Sequence, residues 1–314
     1  MNETPFFSVI LPVYNGERYV AQAIESVLEQ SETDWELIII NDASRDRTAE
    51  IVDEYAARNP RIRVLHNPYN LHIAGSLNRG IETAKGEWIA RIDSDDSYKQ
   101  HHLKRMKHAI LRTERDYLTF FSSWITVMDE TGKQVLDLEL PDARTVRRMM
   151  PLENFLYHPA TCFSKAAWQY VGGYPTDRMM AEDTAMWLRF FKAGLRLVMV
   201  PECLVYYRIH NSNNTSLNDA LLYRATRSAA ETKSLRQYRE WRISLFLKQN
   251  QPEKAREELK LLMAMSNKPT FKNLQYYFLT FMPSSLVYAF MWEIRPRLRY
   301  FFKNVLGLGR HARV

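Results

Sequence analysis

Apolar and polar positions in the first hundred residues alternate between two periods. Phe7-Ser-Val-Ile-Leu11 is a short apolar run ending at Pro12, which predicts a buried strand. From Gly16 to Gln30 the apolar residues fall at 20, 23, 24, 27 and 28, one face of a helix. Glu36 to Ile40 predicts the next strand. Asp46 to Ala57 predicts a helix, with Asp46 and Thr48 near its start. Strand at Ile62 to Leu65, helix at Ile73 to Ala84 and strand at Trp88 to Ile92 complete the series. Alternation at this spacing builds βαβ units, a parallel sheet covered by helices.

The pattern changes after residue 100. Residues 101–115 read as a basic amphipathic helix. Residues 117–140 read as two strands around the turn Asp129-Glu-Thr-Gly132. Cys162 and Phe163 fall on a strand, and Gly172-Gly173-Tyr-Pro175 is a sharp turn. A helix over Asp183 to Ala193 ends at Gly194, and two strands follow at Leu195 to Val200 and Leu204 to Tyr207. No strand pattern appears beyond residue 217. Leu221 to Asn250 and Pro252 to Met265 read as helices, the second with proline in its first turn.

The chain has 314 residues, enough for two domains or for one with a large extension. Hydrophobic residues at 46% and charged residues at 25% describe a globular protein and exclude disordered, collagen-like and disulfide-scaffold classes. Two cysteines without CxxC spacing argue against structural zinc. Met1 to Phe7 lacks a basic n-region and an apolar h-region, so the expectation is a cytosolic chain in which the sequons at Asn213 and Asn214 are chance.

The net charge of +7 conceals a gradient. Residues 1–100 carry 10 basic and 17 acidic side chains, and residues 201–314 carry 19 and 8. The acidic end suits a cation and the basic end an anionic surface. Residues 276–292 contain no charge and are interrupted by Pro283; from Glu293 to Val314 six basic side chains face one acidic. An aromatic apolar run followed by a basic tail predicts a helix lying in the membrane interface, the alternative being a core helix with a solvated tail.

Ile92-Asp93-Ser94-Asp95-Asp96 carries the most chemistry. Three carboxylates follow directly on an apolar strand. In an open parallel sheet, ligands bind beyond the C-terminal strand ends. A hard divalent cation would relieve the repulsion and leave positions free for phosphate oxygens. Asp42 likewise follows an apolar strand, as an acceptor for a nucleobase or ribose or as a helix-capping turn residue. Pro12-Val-Tyr14-Asn15-Gly16 adds an aromatic ring and an amide at a third strand end.

Together these residues resemble the family 2 glycosyltransferases. The resemblance is carried by Ser8-Val-Ile-Leu-Pro-Val-Tyr-Asn-Gly-Glu17, Ile40-Asn-Asp-Ala-Ser-Arg-Asp-Arg-Thr48, Leu77-Asn-Arg-Gly80 with Ala84-Lys-Gly-Glu87, and Asp93-Ser-Asp-Asp96. It extends to Gly172-Gly-Tyr, Glu182-Asp183 with Trp187 and Arg189, and Tyr206-Tyr-Arg-Ile-His210. It implies an α/β GT-A fold: a mixed, mostly parallel sheet covered by helices, with a Rossmann-like nucleotide-binding half. The expected organisation is a GT-A domain at 1–217, divided into a nucleotide-sugar half (1–100) and an acceptor half (101–217). A helical, basic region would follow at 218–314.

The resemblance also implies roles. Pro12, Tyr14 and Asn15 would line the nucleotide pocket with Glu17 at its edge, Asp42 would bind the base, typically uracil, and Arg79 would lie beside nucleotide or sugar. Asp93, Asp95 and Asp96 would serve the ribose and a metal on the diphosphate, with His210 completing the metal or phosphate site; the cofactor would be Mn²⁺ or Mg²⁺. Asp183 would be the general base. Glu182, Trp187 and His158 would meet the acceptor. The alternatives are a helix-dipole role for Glu182-Asp183, a packing role for His210, a turn role for His158 and a partly core position for Trp187. The pair His101-His102 reads as a solvated helix start. The family often has Gly where this chain has Ala43 and His72; Ala43 should fit if its backbone angle is ordinary, and His72 would alter donor preference.

The leading expectation is an inverting, metal-dependent glycosyltransferase that uses a nucleoside-diphosphate sugar, UDP by family habit. Its acceptor would be a cell-surface or lipid-linked glycan. It would sit peripherally at the cytosolic face of the plasma (inner) membrane through 276–314, as a monomer or a homo-oligomer. A nucleotidyltransferase lacks its basic Gly-rich loop here, and the intact carboxylates argue against a non-catalytic sugar-nucleotide scaffold. P-loop and dinucleotide motifs are absent. The C-terminal aromatics are clustered rather than interleaved with Arg, which argues against nucleic acid.

Overall fold

The structure is a computed structural model that describes residues 4–151, 153–176, 181–210, 235–248 and 251–264. Its strands are β1 (Phe7–Val13), β2 (Trp35–Asn41), β3 (Ile62–His66), β4 (Trp88–Arg91), β5 (Ser97–Tyr98), β6 (Thr119–Met128), β7 (Gln134–Leu138), β8 (Thr161–Ser164) and β9 (Arg196–Arg208). Its helices are α1 (Val20–Leu28), α2 (Thr48–Arg58), α3 (His72–Thr83), α4 (His102–Leu111), α5 (Ala143–Met149), α6 (Lys165–Tyr170), α7 (Glu182–Lys192), α8 (Leu235–Lys248) and α9 (Pro252–Ala264).

One sheet runs in the order β3-β2-β1-β4-β8-β6-β9-β5, with β7 on β6. β1 pairs parallel with β2 and β4, and β2 with β3. The second half is mixed: β8 is antiparallel to β4 and β6, while β6 and β9 run parallel. β1 and β2 are buried along their whole length, as covered parallel strands must be. Strand order reverses at β1, so the crevice beyond β1 and β4 is a switch point. α3 lies close on the sheet there: a Cβ on Gly80 would approach Ile40 Cδ1 to 2.6 Å.

Leu195 to Tyr207, expected as two strands, is the single strand β9. Its ladder with β6 shifts register on either side of Trp124, first between Val200 and Cys203 and again between Cys203 and Val205. Pro201 has no N–H to give the ladder, so the chain bulges past it and resumes pairing. The short α5 and α6 escaped the periodicity, yet both carry caps: Asp142 accepts from Thr145 N at 2.8 Å, and Ser164 from Ala167 N at 2.9 Å.

α7 is fastened by its aromatic face. Trp187 stacks on Phe120 at 5.6 Å, and Phe190 packs on Phe120 at 5.2 Å and on Phe163 at 5.5 Å. Burying each ring contributes roughly 1.5–3 kcal/mol.

The chain divides into two units, Met1–Arg227 and Ser228–Val314. The expected boundary at 217 and the expected membrane segment at 276–314 lie outside the described residues. In the second unit α8 and α9 pack together, and Glu258 bridges Arg239 at 2.8 Å and Arg242 at 3.1 Å. Among the described residues no helix is long and apolar enough to cross a membrane.

Candidate active site

Pairing directions bring the chemistry to one sheet edge. β1, β2 and β4 are parallel, so Tyr14, Asp42 and Asp93 leave the sheet on the same side. β8 runs against β4, so its start, just after His158–Ala160, lies on that side. β6 and β9 run against β8, which sends Asp129 and His210 there too. A short turn through Gly194 joins α7 to β9, so the N-terminus of α7, with Glu182 and Asp183, points back to this edge.

The three clustered carboxylates each have a partner. Arg91, 2% exposed, holds Asp93 bidentately. Burial works against the Arg91 charge, but Asp93, Tyr174 and Glu182 more than restore it and raise its pKa. Asp95 Oδ2 lies 3.0 Å from His210 Nε2, and that imidazole stacks on Tyr19 at 5.3 Å. Asp96 Oδ1 accepts from the backbone N of Arg208 at 2.8 Å. Asp96 Oδ2 is buried with no hydrogen-bond partner among the described residues. Burial, with Asp95 and Asp93 nearby, pushes the Asp96 pKa well up.

Arg91 and Arg208 were not read as site residues in the sequence. For Arg91 the available signal is a lone charge at the end of an apolar strand, just before the acidic loop. The repulsion expected to require a cation is met at Asp93 by Arg91. Among the described residues no group of three His, Cys, Asp or Glu is placed to hold a metal ion. The unpartnered Asp96 Oδ2, beside Asp95, is an acceptor of the kind a hard cation takes.

The loops after β1 and β2 are tied to each other. Asn15 Oδ1 accepts from Arg45 N at 2.8 Å, and Asn15 N donates to Ser44 Oγ at 3.0 Å. Glu17 Oε2 accepts from Arg47 N at 3.0 Å, and Gly16 N donates to Thr48 Oγ1 at 2.8 Å. Asn15 and Glu17 therefore shape the loop pair, while Tyr14 stands half-exposed beyond β1 and Pro12 is buried within it. Asp42, 4% exposed, accepts from Asn67 Nδ2 at 2.6 Å and from Leu71 N at 2.7 Å. Arg79 donates to Asn67 Oδ1 and to His66 O, so Asp42, Asn67 and Arg79 form one network. Ala43 and His72 have φ of 58° and 59°. The angle at Ala43 is thus left-handed, not ordinary; the loop bonds of Asn15 and Ser44 hold it there against steric cost.

On the other side, Asp183 Oδ2 accepts from Asn154 Nδ2 at 2.8 Å, and Oδ1 accepts from Thr184 N and Oγ1. His158 Nδ1 lies 3.6 Å from Glu182 Oε1, and His158 Nε2 lies 2.7 Å from Tyr174 OH. Trp187 is wholly buried among Phe120, Phe163, Phe190 and His158. It presents no wall to an acceptor, because its face of α7 is the one that packs on the sheet. His158 is nearly as hidden. His101 is exposed as a solvated helix start would be, but His102 is fully buried and stacked on Tyr98 at 3.9 Å, with neither ring nitrogen partnered among the described residues.

Residues 8–169 match the model of the family described as Glycosyl transferase family 2. The chain is similar to the putative glycosyltransferase EpsE of Bacillus subtilis, 33% identical over 228 residues, or 71% of this chain and 79% of EpsE. It is 29% identical to the putative teichuronic acid biosynthesis glycosyltransferase TuaG of Bacillus subtilis, over 68% of this chain and 83% of TuaG. It is 30% identical to the O-antigen biosynthesis glycosyltransferase WbnJ of Escherichia coli, over 66% of this chain and 80% of WbnJ. Among solved structures it resembles S. aureus TarS 1–349 in complex with UDP-GlcNAc, with a TM-score of 0.55 and 17% identity over 95% of this chain and 73% of that one. At that identity the likeness shows the fold.

Proposed function

The chain belongs to glycosyl transferase family 2 and is a glycosyltransferase, and from that membership we propose that it moves a sugar from a UDP-sugar to a hydroxyl of a cell-surface or lipid-linked glycan, with inversion and with a divalent cation. The observation that carries this reading is one sheet edge holding both the Asp93–Asp96 loop at the switch point and Asp183 at the start of α7. The names of TuaG and WbnJ, which refer to teichuronic acid and O-antigen biosynthesis, support a polysaccharide acceptor. The UDP-GlcNAc complex of TarS supports uridine.

Asp42 and Arg79 hold the nucleoside beside the exposed ring of Tyr14. Asp95, Asp96 and His210 would hold Mn²⁺ or Mg²⁺, which supplies positive charge to the departing diphosphate. Asp183 takes the acceptor's proton as the acceptor oxygen bonds to the anomeric carbon and the bond to the diphosphate breaks. One displacement with one base inverts that carbon. The apolar and basic residues 276–314 keep the enzyme at the membrane surface, where a lipid-linked acceptor is found.

The test is a melting screen of the full chain against UDP, GDP, CDP and dTDP, each with and without Mn²⁺ or Mg²⁺. A nucleotide at a hundredfold excess over its Kd stabilises the folded state by about 2.7 kcal/mol. A metal-dependent shift with UDP alone is the expected result. No shift with any nucleotide, in folded protein, overturns the donor reading.

A further inference from the structure

Behind Asp183 runs a buried line of polar groups. Gly172 and Gly173 have φ of 78° and 73°, and a Cβ on Gly173 would come within 2.9 Å of Asn78 Oδ1. Asn78 clamps the next residue from both sides: its Oδ1 accepts from Tyr174 N at 2.8 Å, and its Nδ2 donates to Tyr174 O at 2.9 Å. Arg189 Nη1 donates to Gly173 O at 3.0 Å. Backbone contacts thus aim the Tyr174 ring, whose hydroxyl lies 2.7 Å from His158 Nε2. The imidazole is flanked edge-on by Trp187 at 5.6 Å, and its Nδ1 faces Glu182 Oε1 at 3.6 Å.

Burial pushes the Tyr174 phenol far up, so it stays protonated and donates to Nε2. An imidazole that accepts at Nε2 carries its proton on Nδ1, which faces Glu182 across 3.6 Å with no hydrogen bond among the described residues. Burial pushes Glu182 upward, but His158, the Glu182 backbone amide and Arg91 outweigh it and bring its pKa down to about 2. Among the described residues the charged and titratable groups facing this line are Arg91 from β4, Asp93 from the loop after it, His158 before β8, Tyr174 from the glycine turn and Asp183 on α7 itself. Glu182 and Asp183 open α7 side by side, so what fixes Glu182 also fixes the turn that carries Asp183.

We propose that Tyr174 and His158 are positioning residues for the base: the line Tyr174–His158–Glu182 fixes the first turn of α7 and so places Asp183 to take the acceptor's proton. This rests on the reading of Asp183 given above. Neither residue touches the reacting atoms.

The test uses the full chain and a panel of UDP-hexoses and UDP-N-acetylhexosamines. It reads UDP release to water, as the accepting hydroxyl, across pH. Tyr174→Phe and His158→Gln lower kcat by about tenfold, the scale for an outer partner of an active group, with donor KM unchanged within about twofold. His158→Asn, whose amide nitrogen stands where Nδ1 does, recovers more activity than His158→Gln, whose nitrogen stands where Nε2 does. If Tyr174→Phe and His158→Gln keep wild-type kcat while Asp183→Asn abolishes release, the proposal fails and the function stands. If Asp183→Asn keeps wild-type release, or the wild type releases none, the function reading itself fails. Where His158→Gln loses its UDP melting shift and has unfolded, Tyr174→Phe, which removes one hydroxyl, decides.

Discussion

The backbone amide of Arg208 donates to Asp96 Oδ1 at 2.8 Å, joining residues 112 positions apart. The Arg208 side chain continues the link. Its Nε donates to Asp95 O at 2.9 Å, its Nη1 to Glu130 O at 3.2 Å and to Asp129 O at 3.3 Å, and its Nη2 to Gln22 Oε1. It is 2% exposed and lies 4.5 Å from the Tyr19 ring centre. One guanidinium therefore holds the acidic loop against α1 and the β6–β7 turn.

Lysine cannot reproduce that fork. Arg208→Lys should destabilise the protein by about 2–3 kcal/mol, the range for losing hydrogen bonds to a charged group. It should also weaken the metal-dependent nucleotide shift. Urea unfolding and the melting screen measure the two effects; an unchanged urea midpoint would mean that the clamp is not structural.

Asp183→Asn keeps the shape and the Asn154 contact but removes the base. kcat should fall by about 10²–10⁴, with the UDP melting shift retained. A variant turning over at the wild-type rate would remove Asp183 from this role.

His102 links stability to pH. Burial lowers its folded pKa to about 3, below the ordinary 6.5. Between those values the unfolded chain binds a proton that the folded chain refuses. Stability from this group is therefore lost as pH falls from 6.5 toward 3, by about 1.4 kcal/mol per pH unit. His102→Phe should remove that share of the slope and, by removing two unpartnered ring nitrogens, leave neutral-pH stability unchanged or higher. Urea midpoints of both proteins at pH 7 and pH 5 make the comparison; parallel slopes would exclude His102 as the source.

Ala43 holds a φ of 58°. A left-handed angle costs an L-residue roughly 1–2 kcal/mol, and the added freedom of glycine in the unfolded chain offsets part of that. Ala43→Gly should stabilise by about 0.5–1 kcal/mol, a rise of about 2 °C in Tm for a domain of this size. A lower Tm would show that the angle carries no strain.

Much of the architecture was legible because it is local. Apolar runs such as Val9 to Leu11 and helical stripes such as 20, 23, 24 and 27 name their own elements, and covered parallel strands must be apolar throughout. Tyr14, Asp42 and Asp93 could be read as one site because parallel strands put their ends on one edge. Asp183 and His210 followed only from the family resemblance.

What stayed hidden depends on distant partners. The sequence by itself determined the order of strands and helices and the acidic loop at a strand end, since hydrophobic period and turn chemistry act over a few residues. Only the tertiary structure decided that Arg91 neutralises Asp93, that Arg208 clamps Asp96, that Trp187 and His102 lie in the core, and that Pro201 bulges within one strand rather than dividing two. Whether a polar side chain is paired, orphaned or exposed is set by groups a hundred residues away, and burial converts that pairing into charge, angle and strain.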